Sequence, residues 1–437
     1  MITVEPEAQR ALVIHPALSR TNSVDIELDL EEASGLAEAL GVEIKAKDAF
    51  AVREIKVANF FGSGKVDELS AVVAANSINL AIVNSQLAPI QQRNLEKKWG
   101  VKVIDRTGMI LEIFALRAAT KEGKLQVELA RLAYERSRLV RTWTHLERQR
   151  GGQGFLAGPG ETQIESDRRQ LADKIRRLKQ DLEQVRRTRS LQRSKRKRAP
   201  ERVVALIGYT NAGKSTLFNI LTESKVFAKD MLFATLDTTH RVLPLPSGQK
   251  AVLSDTVGFI TDLPTDLVDA FRATLEEVSE ADLLVHVRDI SDPLTEKRKQ
   301  DVLGVLETIN AGPKFDQPII EVWNKTDLLK PDAIKDIEER RETLNAKGDY
   351  HRYFMASCAT KTGLDELSIG IEAALSRSDE VVDVVIKPKD FHVRAWLHEH
   401  GDVLDERIDD QGVYGMRVRL PKIDAGILRS RHKQIFI

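Results

Sequence analysis

Hydrophobic and polar positions change their period along the chain. In the first stretch, short apolar runs alternate with helical patterns. Ala11-Leu12-Val13-Ile14, Leu80-Ala81-Ile82-Val83 and Val101-Lys102-Val103-Ile104 read as strands. Leu30 to Leu40, Lys65 to Asn76 and Pro89 to Trp99 read as helices, the first and third closed by Gly41 and Gly100. This order predicts an N-terminal α/β domain over residues 1–120 with mostly parallel strands. The period then becomes heptad. Leu125, Leu129, Leu132, Arg136, Leu139, Trp143 and Leu146 form one seam, and Leu171, Ile175, Leu178, Leu182 and Val185 a second. Two seams joined by a break predict an antiparallel helical hairpin over residues 121–200. Thr162 and Glu165 have capping-box spacing, which places the start of the second helix near them. Strand-and-helix alternation resumes over 201–378. Val381 to Ile386 and Val413 to Leu420 then read as strands of a small α+β appendage, residues 379–437.

The break in the hairpin, residues 151–160, holds five glycines and a proline and is expected to be non-helical. Phe155 and Leu156 lie in its middle. They read equally well as wedges of a contact loop or as anchors that pack back on the hairpin. Downstream, residues 166–198 hold 14 Lys/Arg against four Asp/Glu. Such density creates a local positive field suited to a phosphate backbone, and the scarcity of aromatics favours shape and phosphate readout over base stacking. The field is local, because the 437 residues carry no net charge. A length of this order predicts several domains. The single cysteine, Cys358, excludes an intrachain disulfide framework and fits a reducing compartment. The first residues lack a basic, apolar leader, and no run of apolar residues is long enough to span a bilayer. A cytoplasmic location is expected, with peripheral membrane association left open.

Candidate chemistry centres on Gly208-Tyr209-Thr210-Asn211-Ala212-Gly213-Lys214-Ser215-Thr216. It lies between the apolar run Val203 to Ile207 and a helical run from Leu217. The glycines let backbone N–H groups turn inward to form an anion cradle at a helix N-terminus. Lys214 is expected at the β and γ phosphates and Ser215 on Mg²⁺. Thr235 is the expected switch residue on Mg²⁺ and the γ-phosphate, with Thr238 and Thr239 as rivals. Asp255, in Asp255-Thr256-Val257-Gly258, is expected to hold Mg²⁺ through water, and the Gly258 N–H to bond the γ-phosphate. Asn324-Lys325-Thr326-Asp327 follows a buried strand. Its Asp327 would accept from guanine N1–H and the 2-amino group, its Lys325 would lie along the base, and its Asn324 would tie the two loops. Ser357 and Cys358 occupy the last guanine-binding position, where the Cys358 backbone N–H would act. Phe259 stands where many GTPases carry a water-orienting Gln, so slow intrinsic turnover is expected, unless Thr261 or Asp262 substitutes. Asn211 is a candidate helper for K⁺. A second stretch, Phe60 to Lys65, has glycines and a lysine but the wrong spacing, and reads as a structural turn or an anion contact. His398-Glu399-His400 lacks a helical zinc spacing.

In this order the five nucleotide elements resemble a translation-type, Ras-like P-loop GTPase. The run Gly151 to Arg169, Gly-Gly-Gln-Gly-Phe-Leu-Ala-Gly-Pro-Gly-Glu-Thr-Gln-Ile-Glu-Ser-Asp-Arg-Arg, resembles the signature of the HflX GTPases of the Obg–HflX group. Asp255 to Ile260, with Leu263-Pro264, Leu267-Val268 and Ala270-Phe271, is similar to their switch II, and Phe60 to Leu69 to a turn of their N-terminal domain. The resemblance spans residues 10–378. It implies hydrolysis of GTP to GDP and phosphate with Mg²⁺, and binding to the large (50S) ribosomal subunit. It also implies splitting or rescue of stalled ribosomes under stress. The loop and hairpin would then meet 23S rRNA through Gly151, Gly152, Gly154, Phe155, Leu156, Gly158, Arg186, Arg187, Lys195 and Arg196, which favours the contact-loop reading. Off the ribosome a monomer is expected. Two rivals remain: a GTP-dependent switch regulating a protein partner such as a membrane protease complex, and a nucleotide-driven rRNA remodelling enzyme working through the N-terminal domain.

Overall fold

Three sheets organise the chain: one of four strands, one of six and one of three. The computed structural model describes residues 9–18, 23–149, 159–196, 202–223, 233, 238–260, 272–347 and 352–436.

The first sheet is built from β1 (Arg10–Leu18), β2 (Glu43–Val52), β3 (Leu80–Val83) and β4 (Lys102–Asp105) in the order β2-β1-β3-β4, every pair parallel. Its helices are α1 (Ser23–Ala39), α2 (Ser63–Ala75), α3 (Pro89–Trp99) and α4 (Arg106–Arg117). Side chains alternate across it. Ala11, Val13, Leu80 and Ile82 enter one core with Ala33, Leu36, Met109 and Phe114. Leu12, Ile14, Ala81 and Val83 enter the other, with Phe60, Phe61, Leu69 and Trp99. Burial on both faces is why β1 and β3 read as continuous apolar runs. β2 and α4 have no such signature. β2 is an edge strand rich in Lys, Glu and Ala, and α4 is apolar on nearly all sides, so its period is lost. Phe60 to Lys65 is a structural turn: Phe60 and Phe61 are buried, and Lys65 pairs with Asp48 and Glu68, both at 2.8 Å.

The hairpin consists of α5 (Lys121–Gln149) and α6 (Pro159–Arg196). Leu132, Ile175 and Leu178 pack with Leu125, Leu129 and Leu171, and Lys174 bridges to Glu128 at 2.9 Å. The heptad positions therefore form the seam. α6 begins at Pro159, three residues before the capping-box threonine and inside the stretch expected to be non-helical. Proline suits a first helical turn, where its missing N–H has no intrahelical partner to lose.

The six-stranded sheet holds β5 (Arg202–Ile207), β6 (Thr239–Pro244), β7 (Lys250–Asp255), β8 (Leu283–Asp289), β9 (Ile319–Asn324) and β10 (Arg352–Met355) in the order β10-β9-β8-β5-β7-β6. Only the β6–β7 pair is antiparallel. Its helices are α7 (Lys214–Leu221), α8 (Arg272–Ser279), α9 (Thr295–Thr308), α10 (Pro331–Ala346) and α11 (Leu364–Leu375). β5 lies between β8 and β7, so the chain leaving it emerges at a reversal of strand order, where open α/β sheets bind ligands. The last sheet is antiparallel, with β11 (Glu380–Ile386), β12 (Asp402–Ile408) and β13 (Tyr414–Leu420) in the order β11-β13-β12. α12 (Phe391–His400) and α13 (Lys422–Arg431) contribute Val393, Leu397, Ala425 and Leu428 to its core. Among the described residues no helix is long and apolar enough to cross a membrane.

Candidate functional site

The segment between β5 and α7 turns sharply at two glycines. Gly208 has φ 144°, and a Cβ there would lie 2.1 Å from the Val287 carbonyl oxygen. Gly213 has φ 96°, and a Cβ there would meet Asn324 Nδ2 at 2.2 Å. Both positions need glycine for conformation and for close approach. We expect Gly208→Ala to destabilise the fold by about 3 kcal/mol, through strain plus a backbone clash. Urea unfolding checks it; a midpoint equal to that of the parent would refute the packing argument.

Lys214 is the first residue of α7 and is buried. Its Nζ donates to the Tyr209 carbonyl at 2.7 Å. Burial pushes the ammonium down to about 8, and nearby Asp255 only partly offsets this. An anionic ligand beside Nζ would favour the charged form. Ser215 Oγ donates to Asp255 Oδ2 at 2.7 Å, and Asp255 is fully buried at the end of β7. A hydroxyl and a carboxylate at this separation are hard oxygen donors that suit Mg²⁺. Gly258 closes the loop from the other side: a Cβ there would sit 2.8 Å from Thr210 Cγ2 and 3.0 Å from Lys214 Nζ. Its backbone therefore lies against the cradle.

Phe259 does not face the cradle. Its side chain is buried with Ile207, Leu275 and Val278. Its backbone bridges to the phosphate loop, accepting from Thr210 N–H at 2.8 Å and donating to the Gly208 carbonyl at 3.1 Å. A side chain held in a core cannot orient water. Thr261 and Asp262, the candidate substitutes, lie outside the described residues, as does Thr235. Of the rivals to Thr235, Thr238 is half-buried and Thr239 begins β6. Asn211 is exposed on the loop with φ 60°.

Asn324 joins the two halves of the site. Its Nδ2 donates to the Ala212 carbonyl at 2.8 Å, and its Oδ1 accepts from Cys358 N–H at 3.1 Å. This changes the expectation for Cys358, because its backbone N–H is already committed to Asn324. Burial pushes the Cys358 thiol up to about 11, so it stays neutral. Ser357 Oγ donates to Asp327 Oδ1 at 2.5 Å, which orients an otherwise exposed carboxylate. Lys325 takes a left-handed conformation, φ 64°, and pairs with Asp289 at 2.8 Å. The structure thus brings Gly208, Ala212, Gly213, Lys214, Ser215, Asp255 and Gly258 together at one end of the sheet. Asn324, Lys325, Asp327, Ser357 and Cys358 lie beside them. Thr216 follows Ser215 on α7.

The candidate RNA contacts are only partly described. Gly151, Gly152, Gly154, Phe155, Leu156 and Gly158 lie outside the described residues. Arg186, Arg187, Lys195 and Arg196 fall on α6, and of these the Arg187 side chain is described, exposed and 3.4 Å from Glu183. Arg168, Arg169, Lys174, Arg176, Arg177 and Lys179 are also exposed. Two groups at the nucleotide site escaped sequence reasoning. Tyr209 OH donates to Glu32 Oε2 at 2.5 Å, and Arg106 grips the same carboxylate at 2.6 Å. Glu32 and Tyr209 are 177 positions apart, so no local pattern could have paired them.

Three family models match the chain: a GTP-binding GTPase N-terminal region over 27–115, a GTP-binding GTPase middle region over 117–196, and a 50S ribosome-binding GTPase domain over 203–325. A GTPase HflX from Magnetococcus marinus is 45% identical over 93% of this chain and 91% of its own. A GTPase HflX from Escherichia coli is 40% identical over 95% of this chain and 94% of its own. Among solved structures, the complex of SsGBP with GDP superposes with a TM-score of 0.50 at 25% identity, covering 84% of this chain and 99% of that one.

Proposed function

Because the chain belongs to the HflX family of GTPases, and as such hydrolyses GTP, we propose that it works on the large (50S) ribosomal subunit. In this reading it splits or rescues stalled ribosomes under stress. The observation that carries this reading is the exposed basic face of α6, on an arm held by its own seam. A positively charged helix of this length suits a phosphate backbone. The family description as a 50S ribosome-binding GTPase, over 203–325, supports the same partner. The loop 151–160 and Arg186, Arg187, Lys195 and Arg196 are the proposed contacts with 23S rRNA. No finding favours a protein-regulating switch or an N-terminal remodelling enzyme over this reading.

In the nucleotide site, Lys214 would leave the Tyr209 carbonyl to hold the β and γ phosphates. The backbone N–H groups from Asn211 to Thr216 would cradle them. Ser215 and Asp255, with Thr235, would hold Mg²⁺, which when bound neutralises charge on the β and γ phosphates. K⁺ beside Asn211 is a further candidate. Asp327, oriented by Ser357, would read the guanine edge, and Lys325 would cover the base. The Gly258 N–H would meet the γ-phosphate. That contact moves Gly258, and with it the bridge that Phe259 makes to Gly208 and Thr210. Nucleotide state would in this way reach the ribosome-facing surfaces.

Purified 50S subunits should raise the GTP turnover of the chain by about tenfold or more, a partner supplying the order that a buried Phe259 does not. Charge reversal at Arg186, Arg187, Lys195 and Arg196 should weaken co-sedimentation with 50S particles while leaving the unstimulated turnover unchanged. Turnover that ignores 50S subunits across a range of salt concentrations would count decisively against the ribosomal role.

A further inference from the structure

One apolar core crosses from the N-terminal sheet to the nucleotide site. It contains Leu36, Met109, Ile110 and Phe114 from the N-terminal domain, together with Tyr209, Phe233 and Ile260. Those last three come from the phosphate loop, the segment before Thr235 and the segment after Gly258. Phe233 packs edge-to-face on Phe114 with centroids 4.7 Å apart. The N-terminal domain therefore packs against the phosphate loop at Tyr209 and against Phe233 and Ile260.

The polar centre of this contact is Glu32, on α1. Its carboxylate accepts from the Tyr209 hydroxyl at 2.5 Å and pairs with Arg106 at 2.6 Å. Arg298, from α9, lies 4.0 Å from it and covers the Tyr209 ring at 4.6 Å. The Glu32 side chain is only 7% exposed, so these contacts are shielded from solvent. Removing one partner from such a cluster leaves charge buried with too few bonds. Tyr209 is held at its ring tip by the N-terminal domain, while its main-chain carbonyl is the resting acceptor of Lys214 Nζ. Side chain and carbonyl belong to one residue of a tight loop, so the anchor fixes where Lys214 rests.

We propose that Glu32 is a positioning residue of the GTPase site, acting through the Tyr209 hydroxyl to hold the phosphate loop and its lysine in place. Glu32 does not touch nucleotide. It ties the N-terminal domain to the one loop residue whose carbonyl competes with phosphate for Lys214. Without the anchor the Tyr209 main chain is held less firmly, the loop loses its fixed geometry, and bound GDP is held less firmly. The proposal rests on nucleotide binding at Gly208 to Thr216 and is independent of the ribosomal role.

The test uses the full chain, with release of a fluorescent GDP analogue followed by stopped flow. Tyr209→Phe keeps the ring and its packing but removes the hydroxyl, and should speed GDP release by about tenfold or more, the worth of one hydrogen bond to a charged group. Glu32→Ala should do the same, and the double variant should be no faster than either single one. Glu32→Gln keeps one acceptor oxygen but gives up the charge that Arg106 pairs with, and should speed release by less than Glu32→Ala does. A cooperative melting transition well above the assay temperature in Tyr209→Phe separates positioning from loss of fold. Parental release rates in Tyr209→Phe, or additive effects in the double variant, overturn the proposal. Should Glu32→Ala fail to fold, Tyr209→Phe decides alone: faster GDP release supports the proposal and parental release overturns it. Failure of the parent to bind GDP would instead strike the nucleotide site itself.

Discussion

Lys214→Ala should lower GTP turnover by about 10²–10³-fold, the loss expected when one preorganised donor to a developing charge is removed. The lysine is buried at the head of α7, and its ammonium rests on the Tyr209 carbonyl at 2.7 Å. Burial already disfavours the charged form, so the site gains most when phosphate arrives to restore it. Alanine removes that gain without creating a new buried charge. The fold should survive, since the Tyr209 carbonyl that the lysine leaves behind still accepts from the Ala212 N–H at 3.3 Å. Single-turnover hydrolysis, with circular dichroism as the folding control, measures the effect. A variant that folds and turns over within tenfold of the parent would remove Lys214 from the site.

Asp327→Asn should exchange guanine for xanthine. An aspartate accepts from guanine N1–H and the 2-amino group, whereas an asparagine presents an amide donor to one of them. Xanthine carries an oxygen where guanine carries the 2-amino group and restores the match. Sites built to hydrogen-bond one group reject its analogue strongly, so the ratio of XTP to GTP use should change by about 10²-fold or more. Ser357 can still donate to the amide oxygen as it does to Oδ1 of the aspartate, so the residue should keep its orientation. Competition between the two nucleotides for the purified variant reads the ratio directly. A ratio of XTP to GTP use unchanged from that of the parent would withdraw the guanine-reading role from Asp327.

Several strands legible in the sequence carry apolar runs, and β13 is legible by its alternation. β1, β3 and β9 are buried on both faces and carry Ala11 to Ile14, Leu80 to Val83 and Ile319 to Trp323. The hairpin was legible because a heptad is its own signature. Its seam residues Leu125, Leu129, Leu132, Leu171, Ile175 and Leu178 are the ones that meet. The elements that escaped lack a period. α4 buries Met109, Ile110, Leu111, Ile113 and Phe114, so its pattern has no polar side to reveal it. β2 has a weak apolar face at a sheet edge. The start of α6 lies three residues ahead of the capping-box Thr162, because Pro159 suits the first turn of a helix.

The nucleotide motifs were legible for a different reason. Each is a short stretch whose chemistry is local: a glycine that must turn, a lysine at a helix start, an aspartate at a strand end. What they do to one another was not. Ser215 with Asp255, Asn324 with Ala212 and Cys358, and Ser357 with Asp327 are pairings between strand ends, loops and a helix start at one end of the sheet. The Cys358 N–H, expected to serve the guanine, is instead used within that network.

By itself, the sequence determined the class of the fold, the heptad arm, the basic face and the guanine-nucleotide chemistry, because periodicity and short motifs are properties of neighbours along the chain. Only the tertiary structure decided that Phe259 is buried rather than facing the cradle, and that Glu32 and Phe114 reach Tyr209 and Phe233. The last two contacts join residues more than a hundred positions apart. They depend on how one sheet docks against another, which shape and burial fix and no local pattern records.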